Sequence, residues 1–591
     1  MITGFFLVVL SWLIMLSAVS LLGYPLAYVL NSKQRGSITL RSSLWLGTLV
    51  GTIAILAIGI FFPLRSANAL LIFVALLAIA AIGSFLLLRK QPRIKTIKSK
   101  FSKSHWILIA ALVLALAYLA FAALGPVTNY DSGLYHLGAI KYAGGYATIP
   151  GLANLYFPFG YNTSLYPVGA FLGNGPWGSN GYRLANGCLI LLVVLDLVLR
   201  LVRTHGALAK KSVGTYFLLV AVPLTLIPLV SLSDYWVTSP SSDAAVLVLT
   251  VISVAYLLDA LTKKTSIVMN SSVSFVTAVI AFSMRPTMVV FLLVSSVVLL
   301  YRLTRIQQLK ASLRLLTIPA FIGIVLLFVQ STRDYLLSGW LQYPLSLVSF
   351  NVPWQAVDPV DNRAATLGNA RNPGDIWGSV EGFAWVGPYL SRLPSQWETF
   401  FVLALIIIML VLIFAAKLMR ARLRWRTILV AELPVLAAVI TWFFFSPPTF
   451  RFGWGPVFSL SFIPIAFALK ALFETSPTNN PIGSLVVMKK KTLLPALGVI
   501  LILLVGFNTA TRFQFDSINQ EQKWSLGPVG IKYSIAPVID VPIIDIPLKS
   551  GLVVTSPTQS DQCWDNYPLC TAIPLPSLQM RGDGITQGFL P

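Results

Sequence analysis

Charge is what this chain has least of. Asp, Glu, Lys and Arg together make up 11% of its 591 residues, against roughly 25% in soluble globular proteins. That excludes an ordinary soluble enzyme, a disordered chain and a collagen-like fibre. Cysteine is nearly absent: Cys188, Cys563 and Cys570 are too few for a disulfide scaffold. Histidine is as rare, with three residues, and no HExxH sequence is present. There is no Walker A sequence, which excludes a built-in ATP motor. The alternating ten-residue strands of a membrane barrel are also missing.

What is abundant is apolar. Hydrophobic residues make up 56%, in runs of the roughly 20 residues that cross a bilayer as a helix. The chain reads as an all-α polytopic membrane protein with about 14 (12–14) transmembrane helices. Spans are expected near 4–30, 43–62, 69–88, 105–125, 183–200, 213–232, 244–260, 267–283, 287–301, 315–331, 399–416, 427–446, 456–473 and 492–509. Arg285-Pro286 splits 267–283 from 287–301, a short pair that reads as a hairpin of half-spanning helices.

The net charge is +23, and its placement points to topology rather than to nucleic acid. The stretch 89–103 holds seven Lys/Arg and 417–426 holds five. With the other loops of the same parity, 28 of the 43 basic residues fall on one side, which is then cytoplasmic. The N-terminus lies outside, and the first segment is an anchor rather than a cleaved signal. Five parts follow: a three-helix N-terminal extension (1–104), a membrane core (105–331) with a first large outer loop (126–182), a second outer loop (332–398), further membrane helices (399–509) and an outer C-terminal cap (510–591). Alternation in 535–556 predicts two or three strands, so the cap is β or α/β.

Candidate chemistry lies at the outer edge. Asp131 stands a few residues past the fourth span, with His136 and Lys141 as nearby cations. An Asp there is either a helix N-cap or a general base at the water–lipid boundary. Asp234 and Asp243 lie in the next outer loop. Asp243 falls in the first turn of a helix, where it complements the dipole or serves as a second site acid. Arg285 interrupts an apolar run, which marks a functional site or a snorkelling side chain. Arg333 and Arg451 stand at the same level. Arginine forks suit a phosphate. Gly173, Gly175 and Gly178 spell GxGxxG, but no strand precedes them and Pro176 interrupts them, so they read as a tight turn. Asp196 and Glu432 fall inside spans and read as structural. Cys563 and Cys570 bracket a short outer loop and can form a disulfide.

The segments NYDSGLYHLGAIKY, SGWLQYP, PPTFRFGWG and QCWDNYPLC resemble a branch of bacterial membrane proteins placed near the GT-C glycosyltransferases. The resemblance covers most of the chain from about residue 105. It implies sugar transfer from a polyprenyl-phosphate donor to a glycan, lipid or protein hydroxyl. It places this on the non-cytoplasmic face of a bacterial inner membrane, with inversion, and with Asp131 as the base. His136, Lys141, Asp243, Arg285, Arg333 and Arg451 are then candidates for binding the donor phosphate or substrate. Two features depart from the family: the acidic loop follows the fourth span rather than the first, and its paired-acid motif is missing. The second leaves a divalent metal open and no cofactor certain. A transporter or flippase of lipid-linked sugars, or an O-antigen ligase or polymerase, is the alternative.

Overall fold

The computed structural model describes residues 1–31, 40–89, 103–202, 211–231, 235–263, 265–305, 309–475, 517–526 and 529–591. Helices α1 (Ile2–Asn31), α2 (Leu40–Phe61), α3 (Ala67–Arg89) and α4 (Lys103–Ala122) come first. The loop 126–182 then folds into short helices: α5 (Leu137–Gly145), α6 (Leu152–Leu155) and α7 (Leu165–Phe171). Next are α8 (Ala185–Val202), α9 (Val213–Ser231), α10 (Tyr235–Thr238), α11 (Ser242–Thr262), α12 (Ile267–Met284), α13 (Val289–Thr304) and α14 (Leu309–Ser338). The loop 332–398 carries hairpin β1–β2 (Trp340–Gln342, Leu345–Ser349), α15 (Pro359–Arg371) and α16 (Val386–Arg392). Helices α17 (Trp397–Leu418), α18 (Trp425–Phe445) and α19 (Phe450–Glu474) complete the described bundle.

Among the described residues, twelve helices are long and apolar enough to cross a membrane, and the chain is an integral membrane protein. Helix α9 occupies the expected span 213–232, with a shorter described apolar stretch, Val213–Leu224. The expected span 492–509 lies outside the described residues, as does most of the basic loop 89–103. The half-spanning hairpin is corrected. Helix α12 has 18 residues, about 27 Å at 1.5 Å per residue, and the stretch Pro286–Thr304 has 19. Pro286 ends one span and opens the next through a single 3-10 turn, Pro286–Met288.

Helices α1 and α2 share the main buried cluster with α8, α11, α12 and α19. They meet at small residues. A Cβ on Gly23 would lie 1.9 Å from the Ser43 carbonyl, and one on Gly47 1.6 Å from that of Val19. Only glycine permits this approach, the usual device for packing helices in lipid.

The C-terminal cap is built of antiparallel hairpins: β3 (Gln520–Leu526) with β4 (Val529–Ile535), β5 (Ile543–Pro547) with β6 (Val553–Pro557), and β7 (Gln579–Met580) with β8 (Phe589–Leu590). The expected region 535–556 holds β5 and most of β6. The strand pair before it was not expected from sequence. The Ala536 N–H donates to the Leu124 carbonyl at 2.8 Å. Buried Arg183 donates to the Ala536 carbonyl at 2.8 Å and also to that of Gly125. These bonds hold the cap on the C-terminal end of α4 and the N-terminal end of α8.

Candidate active site

Four charged side chains from distant stretches of sequence meet at the end of the bundle that carries the cap. Asp131 immediately precedes a π-helical turn, Ser132–His136, and its side chain makes no capping hydrogen bond. Its Oδ2 instead lies 2.7 Å from Nη2 of Arg451. Thr449 precedes α19, so Arg451 falls in the first turn of that helix. Nε of Arg451 is 3.7 Å from Oδ2 of Asp243. Asp243 sits in the first turn of α11, where the Ser241 hydroxyl accepts from its backbone N–H at 3.2 Å. Its Oδ1 pairs with Arg285. Arg285 ends α12 in an extended conformation and also donates to the Ser242 hydroxyl at 3.2 Å. The order is thus Asp131, Arg451, Asp243, Arg285, with signs alternating and the sum balanced.

Phe452 fixes both guanidinium groups. Its ring centroid is 4.4 Å from Cζ of Arg285 and 5.0 Å from Cζ of Arg451, within cation–π range. Asn186 fixes the loop before α11. Its amide donates to the carbonyls of Ser239 and Ser241 at 2.8 and 2.9 Å. Access differs along the row. The side chains of Asp131 and Arg451 are 17% and 27% exposed, whereas that of Asp243 is 2% exposed.

His136 backs this row. Its Nδ1 is 3.3 Å from the Ser132 hydroxyl, which is 2.9 Å from that of Ser239. Burial pushes the imidazole down to about 4, against the pull of Asp131 and Asp243. It is therefore neutral near pH 7. Tyr135 packs edge-on against His136, Tyr161 and Tyr166. Burial pushes the phenols of Tyr135 and Tyr166 up, and that of Tyr161 up to about 12. These rings form a neutral aromatic wall.

The remaining expected site residues lie elsewhere. Arg333, read as the third outer arginine, is buried and donates to the Thr148 hydroxyl at 2.8 Å and to Asn162 Oδ1 at 3.3 Å. It lines a separate cavity with Tyr161 and Tyr166. Lys141 points into the cap, 2.5 Å from a carboxylate oxygen of Asp565. Asp234 lies outside the described residues. Gly175 and Gly178 have φ of +94° and +53°, the geometry of turns. Asp131 and Asp243 both face Arg451, and no group of three or more His, Cys, Asp or Glu suited to a metal occurs among the described residues. Ser132, Ser239, Ser241, Asn186 and Phe452 had not been singled out. Only Ser241 left a signal, as a cap ahead of Asp243 in SPSSD.

The cap clamps the helical segment that carries Asp131. Cys563 and Cys570 are joined by a disulfide, and the residues around that loop grip the segment 130–142. The Trp564 N–H donates to the Gly133 carbonyl at 2.9 Å. Its indole covers Gly133 so closely that a Cβ there would lie 2.4 Å from the ring. Tyr130 donates to Asp561, Gln562 donates to the Tyr130 carbonyl at 2.7 Å, and the Leu569 N–H donates to the Tyr142 hydroxyl at 3.0 Å.

The family model described as "domain of unknown function (DUF8201)" matches residues 5–458, well over half of the chain, and the chain belongs to that family. No curated protein matches it. Among solved structures it is similar to the arabinosyltransferase EmbB from Mycobacterium smegmatis, with 15% identity and a TM-score of 0.35. The match covers 70% of this chain and 35% of that one, so the chain spans about a third of that protein's length.

Proposed function

We propose that this member of the DUF8201 family is a membrane glycosyltransferase. It moves a sugar from a polyprenyl-phosphate donor to an acceptor hydroxyl on the non-cytoplasmic face, with inversion. The observation that carries the reading is Asp131. It is a partly exposed carboxylate with no capping role, paired to Arg451. The motif resemblance supports the same role.

The chemistry follows from the balanced row. A donor phosphate docking on Arg285 and Arg451 competes with the two carboxylates already there. Asp243 is the more deeply held and stays. Asp131, at the open end, gives up Arg451 to the phosphate. The freed carboxylate then takes the proton of the acceptor hydroxyl as it attacks the anomeric carbon. The arginines stabilise the negative charge that develops on the departing phosphate. Neutral His136 and the tyrosines add no competing cation. A transporter or flippase would instead need ionisable groups along the bundle. Asp196, Arg200 and Asp259 are paired among themselves at the opposite end, and Glu432 in α18 is a single acid with no hydrogen-bond partner among the described residues.

The deciding experiment gives the purified chain, in nanodiscs, labelled polyprenyl-phosphate sugars and a panel of acceptors. Sugar transfer that Asp131→Asn abolishes supports the proposal. Translocation of the donor without transfer would replace it with the flippase reading.

A further inference from the structure

The outer segment between α14 and α17 keeps side chains that water does not favour. Leu347 is 75% exposed, Phe383 71%, Trp377 64% and Val360 59%. Single exposed apolar residues are unremarkable, but a cluster marks an interaction surface. These residues join the outer ends of two lipid-facing spans. Phe383 packs edge-on against Phe444, at 6.2 Å, and Trp385 and Tyr389 pack on Phe443. Phe443 and Phe444 belong to the last turn of α18, which also exposes Leu429, Leu433, Leu436 and Ile440. On the other flank, Phe350 packs on Tyr335 of α14 at 5.0 Å. Helix α14 in turn exposes Phe321, Ile324 and Phe328. The apolar surface of the segment therefore continues two membrane-facing stripes.

We propose that residues 340–392 form a platform embedded in the interfacial layer of the leaflet on the Asp131 side, with Leu347, Trp377 and Phe383 among the lipids. The partner is the lipid surface itself. Tryptophan is enriched at that depth. Asp375 and Glu381 flank Trp377 and Phe383, so the hold comes from apolar insertion and not from anionic headgroups. The platform also reaches the site. Asn362 of α15 donates to the Tyr343 hydroxyl at 2.9 Å, the Tyr343 ring lies 6.1 Å from that of Tyr161, and the Tyr161 ring packs 5.7 Å from that of Tyr135. Helix α15 thus lies between the lipid-facing surface and the aromatic wall behind Asp131.

The test uses the full chain in phosphatidylcholine nanodiscs containing lipids with a quencher at shallow depth. An environment-sensitive fluorophore is attached at Leu347→Cys, Trp377→Cys or Phe383→Cys, with Lys549→Cys in the cap as the water-exposed reference. Native thiols interfere little, since Cys188 is buried and the other two are bonded. Blue-shifted emission and several-fold stronger quenching at the three platform positions, unchanged by salt or anionic lipid, are expected. Emission and quenching equal to those at position 549 would overturn the proposal, as would insertion that requires anionic lipid. Hydroxyl-radical labelling of the unaltered chain guards against misfolded variants: Trp377 and Phe383 should be protected in the nanodisc, and their full oxidation would also overturn it. No sugar is involved, so this result stands apart from the outcome of the transfer assay.

Discussion

Helix α11 carries an ion network at each end, and the two are finished differently. At the end where α8 and α11 finish, every oxygen of Asp196 and Asp259 is engaged. Asp196 meets Arg200 at 2.5 Å, Arg41 at 3.4 Å, Trp45 at 2.9 Å and Tyr256 at 2.8 Å. Asp259 meets Arg200 at 2.7 Å, Lys263 at 2.8 Å and the Gly214 N–H at 3.2 Å. The side chains of Asp196, Asp259 and Arg200 are 1–2% exposed. At the other end, Oδ2 of Asp243 and Nη1 of Arg285 have no hydrogen-bond partner among the described residues, and Asp131 and Arg451 reach solvent. Leaving buried polar atoms unpaired costs stability. A network whose carboxylates are all engaged fastens helices together, whereas one with an unpaired carboxylate oxygen and an open end is suited to receive a ligand.

The sharpest way to break this contrast is to neutralise one acid at each end. Asp131→Asn keeps the shape and removes the base, so turnover should fall about 10²–10⁴-fold while thermal unfolding in detergent stays unchanged. Near wild-type transfer would send the search for a base to Asp234, Asp243 or Asp334. Asp196→Asn should do the reverse, removing about 3–5 kcal/mol of stability by leaving buried Arg200 short of a partner. A melting curve like that of the wild type would show the Asp196 network to be dispensable.

His136 sharpens the comparison through pH. Its folded value, about 4, lies below its ordinary value of about 6.5. The unfolded chain therefore takes up the proton first. Stability is full above about pH 6.5 and is lost as pH falls towards 4, on the order of 3 kcal/mol in all. His136→Gln should flatten that part of the stability–pH curve, and an unchanged slope would assign the loss to other groups. The smallest effect is expected from Arg285→Lys. A point charge cannot replace the fork that meets both Asp243 and a phosphate. Donor affinity, measured by equilibrium binding, should weaken roughly tenfold, or about 1.4 kcal/mol, with the fold retained.

Much of the bundle was legible because an apolar run of span length has few other uses. The ends of α2, α8 and α11 fall within three residues of the expected spans 43–62, 183–200 and 244–260. The half-spanning reading failed because the Pro286 break looked like a hairpin tip, when each flank had nearly the length of a full span. Strand β3 escaped notice because QEQKWSL is polar and lacks strand alternation; β4, VGIKYSI, does alternate and was missed. At the site, scarcity of charge made Asp131, Arg285 and Arg451 conspicuous, but the order of pairing was not readable. Positions 131, 243, 285 and 451 share no local pattern, and only the tertiary fold shows that Arg451 stands between the two acids. Arg333 looked equivalent by depth alone and proved to face Thr148 and Asn162. The serines and Asn186 carry no charge, so nothing in a single sequence distinguished them from other small polar residues.

The clamp of Trp564 over Gly133 has a temporal side. Tyr130 and Asp561 are 431 residues apart, and such distant contacts form late because a long loop must close first. During synthesis at about 5–20 residues per second, the segment carrying Asp131 waits at least some 20 seconds for the loop that will hold it. The nascent bundle can insert its early helices before this seat is closed. Fastening of Asp131 is therefore deferred until both the distant cap and the arginine-bearing helices have been made, so a partly built chain lacks the clamped geometry.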